Sequence, residues 1–162
     1  MENTEVKVGI ADLNLVSSPG KIMTIGLGSC IGIALYDKRN KLAGLSHIML
    51  PDSTQFKNAT NPMKFADLAI PLLIKKMEAK GCQKRNLIAK IAGGASMFSF
   101  SDKSMVGDIG KRNIQAVKKS LSEEKIRIIA EDVGGNKGRT MILNALDGKV
   151  TLKIVGVGIV EL

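Results

Sequence analysis

The chain has 162 residues, 44% apolar and 24% charged, a globular balance that excludes disordered and fibrous classes and fits one domain, 1–162, with a sizeable core. Twenty-four lysines and arginines against fifteen acidic residues give a net charge of +9, which predicts an acidic partner, while 3% aromatics leave few stacking platforms for single-stranded nucleic acid. Two cysteines cannot make a disulfide framework, no apolar leader opens the chain, and the longest uncharged apolar run, 68–74, is far too short to cross a bilayer; a soluble, reduced, cytoplasmic protein without membrane insertion is expected.

In chain order, residues 5–11 and 21–25 read as strands, the second ending at the tight segment Gly26-Leu27-Gly28. The nearly continuous apolar run 31–36 reads as a buried strand, the polar segment 37–40 as a turn, and 42–50 as the return strand. A polar loop, 52–60, leads to Asn61-Pro62, a helix cap followed by a first-turn proline. The helix is expected to run to about Lys80, stopped by Gly81, with Ala66, Ile70, Leu73 and Met77 as its stripe and a kink at Pro71. Residues 87–92 read as a buried strand, and a second helix spans about 108–123 with Ile109, Ile114, Val117 and Leu121 inward. Strands over 126–133, 139–145 and 150–157 follow, the last two joined by an Asp147-Gly148 hairpin turn. Seven or eight strands with two main helices give an α+β class, with helices packed outside a mostly antiparallel, β-rich core.

Only one histidine, His47, is available for imidazole chemistry. If 37–40 is a four-residue loop, Tyr36 pairs with Lys41 and Cys30 falls opposite His47, on one face and within reach of a thiol–imidazole contact. A slip of one residue would put the two on opposite faces. An imidazolium beside a thiol is expected to lower the thiol pKa and supply a nucleophile. In Gly26-Leu27-Gly28-Ser29-Cys30 the glycines permit a tight turn, and the backbone amides of Gly28, Ser29 and Cys30 are candidates for holding an oxyanion. The plainer alternative is that Cys30 is a small buried hydrophobe and His47 a structural histidine. Cys82 has no second imidazole to pair with and reads as a bystander. One histidine and two distant cysteines give no metal cluster, so neither a metal nor an organic cofactor is expected. Two glycine clusters, at 92–96 and 134–139, could approach a phosphate; the first lacks the P-loop lysine, and the second reads more simply as a hairpin loop carrying solvated cations.

Five blocks in order then resemble a known family: Thr24-Ile25-Gly26-Leu27-Gly28-Ser29-Cys30-Ile31-Gly32; Gly44-Leu45-Ser46-His47-Ile48-Met49-Leu50-Pro51; Ile91-Ala92-Gly93-Gly94-Ala95-Ser96-Met97-Phe98; Ile109-Gly110-Lys111-Arg112-Asn113; and Glu131-Asp132-Val133-Gly134-Gly135-Asn136-Lys137-Gly138-Arg139. Together they resemble the chemoreceptor glutamine deamidase family, CheD, with Lys111 standing where many members carry an acidic residue. The resemblance implies deamidation of glutamines on the cytoplasmic domain of chemotaxis receptors. It implies a site of Cys30 as nucleophile, His47 as base and acid, and Thr24 orienting the imidazole. It further implies a fold similar to the catalytic domain of cytotoxic necrotizing factor toxins and a CheC-type phosphatase as second partner. Two other classes compete: a non-catalytic adaptor regulating a chemotaxis phosphatase, and a basic nucleic-acid-binding domain, for which the composition gives little support.

Overall fold

The computed structural model describes residues 4–96 and 109–162. Among them are ten strands: β1 (Glu5–Val8), β2 (Asp12–Ser17), β3 (Lys21–Leu27), β4 (Ile31–Asp37), β5 (Leu42–Ile48), β6 (Leu87–Gly93), β7 (Arg127–Val133), β8 (Arg139–Asn144), β9 (Val150–Ile154) and β10 (Gly158–Glu161). Two helices accompany them, α1 (Ala66–Ala79) and α2 (Ile109–Glu123). The strands form two five-stranded sheets, β1-β3-β8-β9-β10 and β2-β5-β4-β6-β7. Only β1–β3 and β6–β7 pair in parallel; the other neighbours are antiparallel, as the α+β reading expected.

Every residue of β4 and β5 is buried, because this part of the second sheet is covered on both faces. On one face Ile31, Ile33 and Leu35 pack with Ile70, Leu73 and Met77 of α1. On the other, Ala34, Tyr36, Ala43 and Leu45 pack with Ile22, Leu143 and Leu152 of the first sheet. The layers therefore run sheet, sheet, helices, and the second sheet is the middle one. Alternation along β5 sends His47 to the same side as Ala43 and Leu45, into the space between the sheets.

Several boundaries differ from the sequence expectations. The 5–11 segment stops at Val8, and Ala11, with φ +57°, turns the chain into β2, which was not anticipated. The last expected strand, 150–157, stops at Ile154 as β9, and an exposed β10 that was not anticipated follows beyond it. Asn61 does cap a turn, accepting from the Met63 N–H, but the turn is a short 3₁₀ segment, Pro62–Lys64; α1 starts after it and runs on through Pro71. The expected start of the second helix at Asp108, and the motif residues Met97 and Phe98, lie outside the described residues.

The β4–β5 hairpin also closes differently. Tyr36 pairs with Ala43 and Asp37 with Leu42, so the four-residue loop is 38–41 rather than 37–40. Asp37 is fully buried; its carboxylate accepts from the Arg39 and Asn40 backbone N–H groups and from the Asn40 side chain. It is an internal cap of the turn that ends the ladder, not a solvated turn residue. Moving the loop by one residue on each strand shifts the pairing by two in total, so His47 lies opposite Gly32 instead of Cys30. A two-residue shift preserves the face.

Candidate active site

Thr24 comes from β3, Cys30 from the loop that leads into β4, and His47 from β5, so the three draw on two different sheets. In β3, Ile22, Thr24 and Leu27 are the inward residues, with a bulge between Thr24 and Leu27 where Gly26 adopts φ +81°. The chain then crosses to the second sheet through residues 28–30 and enters β4. Thr24 thus meets His47 across the sandwich, not from a neighbouring position in one sheet. Cys30 immediately precedes β4, two positions before the Gly32 that faces His47, and packs against the inter-sheet core.

The hydrogen bonds at this point fix a tautomer. Thr24 Oγ1 donates to the Val8 carbonyl at 2.7 Å and lies 2.6 Å from His47 Nδ1. A hydroxyl has one proton, and Val8, a pure acceptor, takes it. Thr24 Oγ1 must therefore accept, and Nδ1 must carry the imidazole hydrogen. The other nitrogen, Nε2, is left with its lone pair free, buried and without a hydrogen-bond partner among the described residues. That is the state of a general base awaiting a proton.

Burial sets the charge of both groups. Desolvation lowers the His47 pKa from its ordinary 6.5 to about 4. Desolvation also raises the Cys30 thiol, opposed by a smaller effect of its own backbone N–H bonding to sulfur. The imidazolium expected from the sequence to depress the thiol pKa is absent at neutral pH, because a fully buried ring with only a hydroxyl partner cannot hold a charge cheaply. The resting pair is a neutral thiol and a neutral imidazole. Cys82 is buried and further from ionising: desolvation, then its bond to Asp37 and that carboxylate's charge, push it up to about 12.

A folded-state pKa depressed at His47 has a consequence for stability. The neutral form is favoured in the fold, so the contribution is complete above pH 6.5 and is lost as pH falls towards about 4. Between pH 7 and 5 this single histidine should cost about 2 kcal/mol of unfolding free energy. Urea melts at the two pH values will read it, and a His47→Gln variant should have a nearly flat response over the same interval.

The backbone around Cys30 is held from one side. The Gly28 carbonyl accepts from Ala95 N–H at 2.8 Å, the Ser29 carbonyl from Asn113 Nδ2 at 2.9 Å, and the Cys30 carbonyl from Gly94 N–H at 2.9 Å. In a trans peptide the N–H opposes the preceding C=O. The Ser29 and Cys30 amides consequently point away from this clamp, and apart from the Cys30 sulfur neither has an acceptor among the described residues. The third expected amide, Gly28, is engaged: it donates to the Gly26 carbonyl at 3.1 Å.

The glycine clusters find their use here. A Cβ on Gly93 would stand 2.2 Å from the Cys30 carbonyl oxygen, so only glycine, at φ +113°, lets β6 approach this closely. Of the two cations in the 134–139 loop, Lys137 is exposed as expected, but Arg139 is not solvated. Arg139 is buried, and its guanidinium binds the Gly93, Gly134 and Lys137 carbonyls and the Asp132 carboxylate. The Gly134 amide closes onto the Gly93 carbonyl and Ser96 N–H onto that of Gly135. Both clusters support the Cys30 loop. Sequence reasoning offered Gly93, Gly94 and Ala95 only as part of a possible phosphate approach and gave Asn113 no role; the signal was their presence in the family-like blocks. Among the described residues no group of three His, Cys, Asp or Glu side chains could hold a metal ion, and no helix is long and apolar enough to cross a membrane.

Comparison with known proteins adds identity to this geometry. Residues 49–154 match the family described as CheD chemotactic sensory transduction. A protein of Clostridium botulinum strain Eklund 17B, named "Probable chemoreceptor glutamine deamidase CheD", is 95% identical over the full length of both chains. Proteins of the same name from Clostridium acetobutylicum and Clostridium botulinum strain Hall are 66% identical over 96% of this chain and 93% of theirs, and 65% identical over all of both. The family match begins two residues after His47, but the full-length relatives carry the likeness across the whole site. On both grounds the chain belongs to the CheD family.

Proposed function

We propose that this chain deamidates glutamine side chains on the cytoplasmic domain of chemotaxis receptors, in the cytoplasm, with Cys30 as nucleophile, His47 as base and then acid, and Thr24 as the residue that orients the imidazole. The observation that carries the reading is the commitment of Thr24's one proton to Val8, which leaves His47 Nε2 as a buried free base on the face that Cys30 shares. The relatives named as chemoreceptor glutamine deamidases supply the substrate.

The neutral resting pair determines the order of events. Cys30 Sγ attacks the carboxamide carbon as Nε2 takes the thiol proton, so charge is created only in the transition state. The oxygen's negative charge falls to the Ser29 and Cys30 amides. The transient imidazolium is held by Thr24, which accepts from Nδ1. His47 then gives its Nε2 proton to the leaving nitrogen, ammonia departs and a thioester remains. Water attacks the thioester after losing a proton to Nε2, and that proton returns to the sulfur as glutamate is released.

Mass spectrometry of a receptor cytoplasmic fragment incubated with the enzyme should find a gain of about 1 Da per converted glutamine, as replacement of an amide by an acid requires, with ammonia released in equal amount. A folded protein that gives neither product would be an adaptor instead. The family resemblance also carries a second role, binding of a CheC-type phosphatase, which co-purification of the two purified proteins tests.

Thr24→Val keeps shape and branching but removes the hydroxyl. It leaves the buried His47 Nδ1–H without its acceptor, a loss of about 1–3 kcal/mol in stability. Turnover should fall at least about tenfold, equivalent to ~1.4 kcal/mol of transition-state stabilisation. Wild-type kcat in a folded Thr24→Val protein would reduce the site to a Cys30–His47 dyad.

A further inference from the structure

We infer that Asn113 is a positioning residue for the reaction: from α2 it ties the loop that carries the nucleophile to the end of the strand that carries the base. Its Nδ2 donates at 2.9 Å both to the Ser29 carbonyl, one residue before Cys30, and to the Met49 carbonyl, two residues after His47. Two carbonyl acceptors require the amide's NH₂ side, so its orientation is fixed by its partners.

Asn113 is fully buried, and its Oδ1 has no donor among the described residues. It lies on the inward stripe of α2 with Gly110, Val117, Ser120 and Leu121. An apolar side chain at 113 would suit a helix face turned to the core, and an unpaired buried acceptor is a cost that packing alone would not explain. What the amide adds is a link just past the end of the β4–β5 ladder: Ile31–Ile48 is its last pair, and Asn113 bridges Ser29 and Met49 beyond it. By drawing the Ser29 carbonyl towards α2, it turns the Cys30 N–H the opposite way, to the side where the thiol lies and an oxyanion would form. By drawing the Met49 carbonyl to the same nitrogen, it sets the end of β5 against that loop.

This inference rests on the deamidase reading, and the test separates the two. Wild type, Cys30→Ala, Asn113→Ala and Asn113→Asp are compared on the receptor fragment, with circular dichroism to establish folding and iodoacetamide to read access to Cys30. Asparagine to aspartate preserves shape but removes both donors. The folded Asn113 variants should lose at least about tenfold in kcat, because misdirected amides act on the transition state, with KM and the Cys30 alkylation rate within about threefold of wild type. Wild-type kcat in either folded variant overturns the inference. So does a kcat loss matched by an equal change in alkylation, which would mean general loosening, and so does failure of both variants to fold, which would make Asn113 a determinant of folding alone. An inactive wild type, or an active Cys30→Ala, would instead overturn the deamidase reading itself.

Discussion

Cys30→Ala is expected to abolish glutamine deamidation, with a loss of at least about 10⁴-fold, while the protein folds as before. Cys30 is only half-buried, stands at a loop whose carbonyls are held by Ala95, Asn113 and Gly94, and makes no side-chain bond that the fold needs. Removing the sulfur therefore deletes the atom proposed to attack and little else. Cys82→Ala is the matched control. That thiol is buried at the end of α1, bonded to the Asp37 carboxylate and pushed up to about 12, so it is neither accessible nor ionisable under assay conditions. Its loss should lower thermal stability and leave most of the activity. Ammonia release measured with both variants decides the assignment, and equal loss from both would contradict it.

The legible part of this molecule was what alternation and turn chemistry encode. The continuous apolar run of β4 and the polar turn after it located the hairpin, and with it the shared face of Cys30 and His47. The pairing was misjudged because Asp37 has the composition of a solvated turn residue, whereas the fold buries it as the turn's own cap. Face survived the error because the shift was even. β2 escaped notice because Asp12 and Asn14 interrupt its apolar positions and the left-handed Ala11 that reverses the chain is not a turn residue by type. Asn113 was illegible for a similar reason: hydrophobic periodicity in α2 ranks Ile109 and Ile114, while the residues that actually reach the core include Gly110, Asn113 and Ser120. The charge state of the pair was misread because a sequence places His47 near Cys30 without revealing that the ring is fully buried, and burial is what lowers its pKa.

His47→Gln separates the base from the bonds that hold it. Glutamine can offer its amide N–H to Thr24 Oγ1, so the link across the sandwich can survive, but it cannot accept and return a proton. A positioned acid–base group contributes about 10²–10⁴-fold, and in the proposed mechanism one imidazole serves both attack and ammonia departure, so a loss near the upper end, about 10³-fold or more in kcat, is expected. The neutral resting pair makes the alkaline response informative. Because burial holds the Cys30 thiol above its ordinary pKa of 9.0, raising the pH of a His47→Gln reaction ionises more of the sulfur without any base. That replaces the first half of His47's work, the removal of the thiol proton. It does nothing for the second half, since the nitrogen leaving the tetrahedral intermediate still lacks a proton donor, and high pH makes one scarcer. Alkylation of Cys30 in His47→Gln should therefore climb steeply from pH 7 to 10, while deamidation recovers only a small fraction of the wild-type rate. Near-complete recovery of deamidation at high pH would mean that His47 acts on the thiol alone and that another group protonates the departing ammonia.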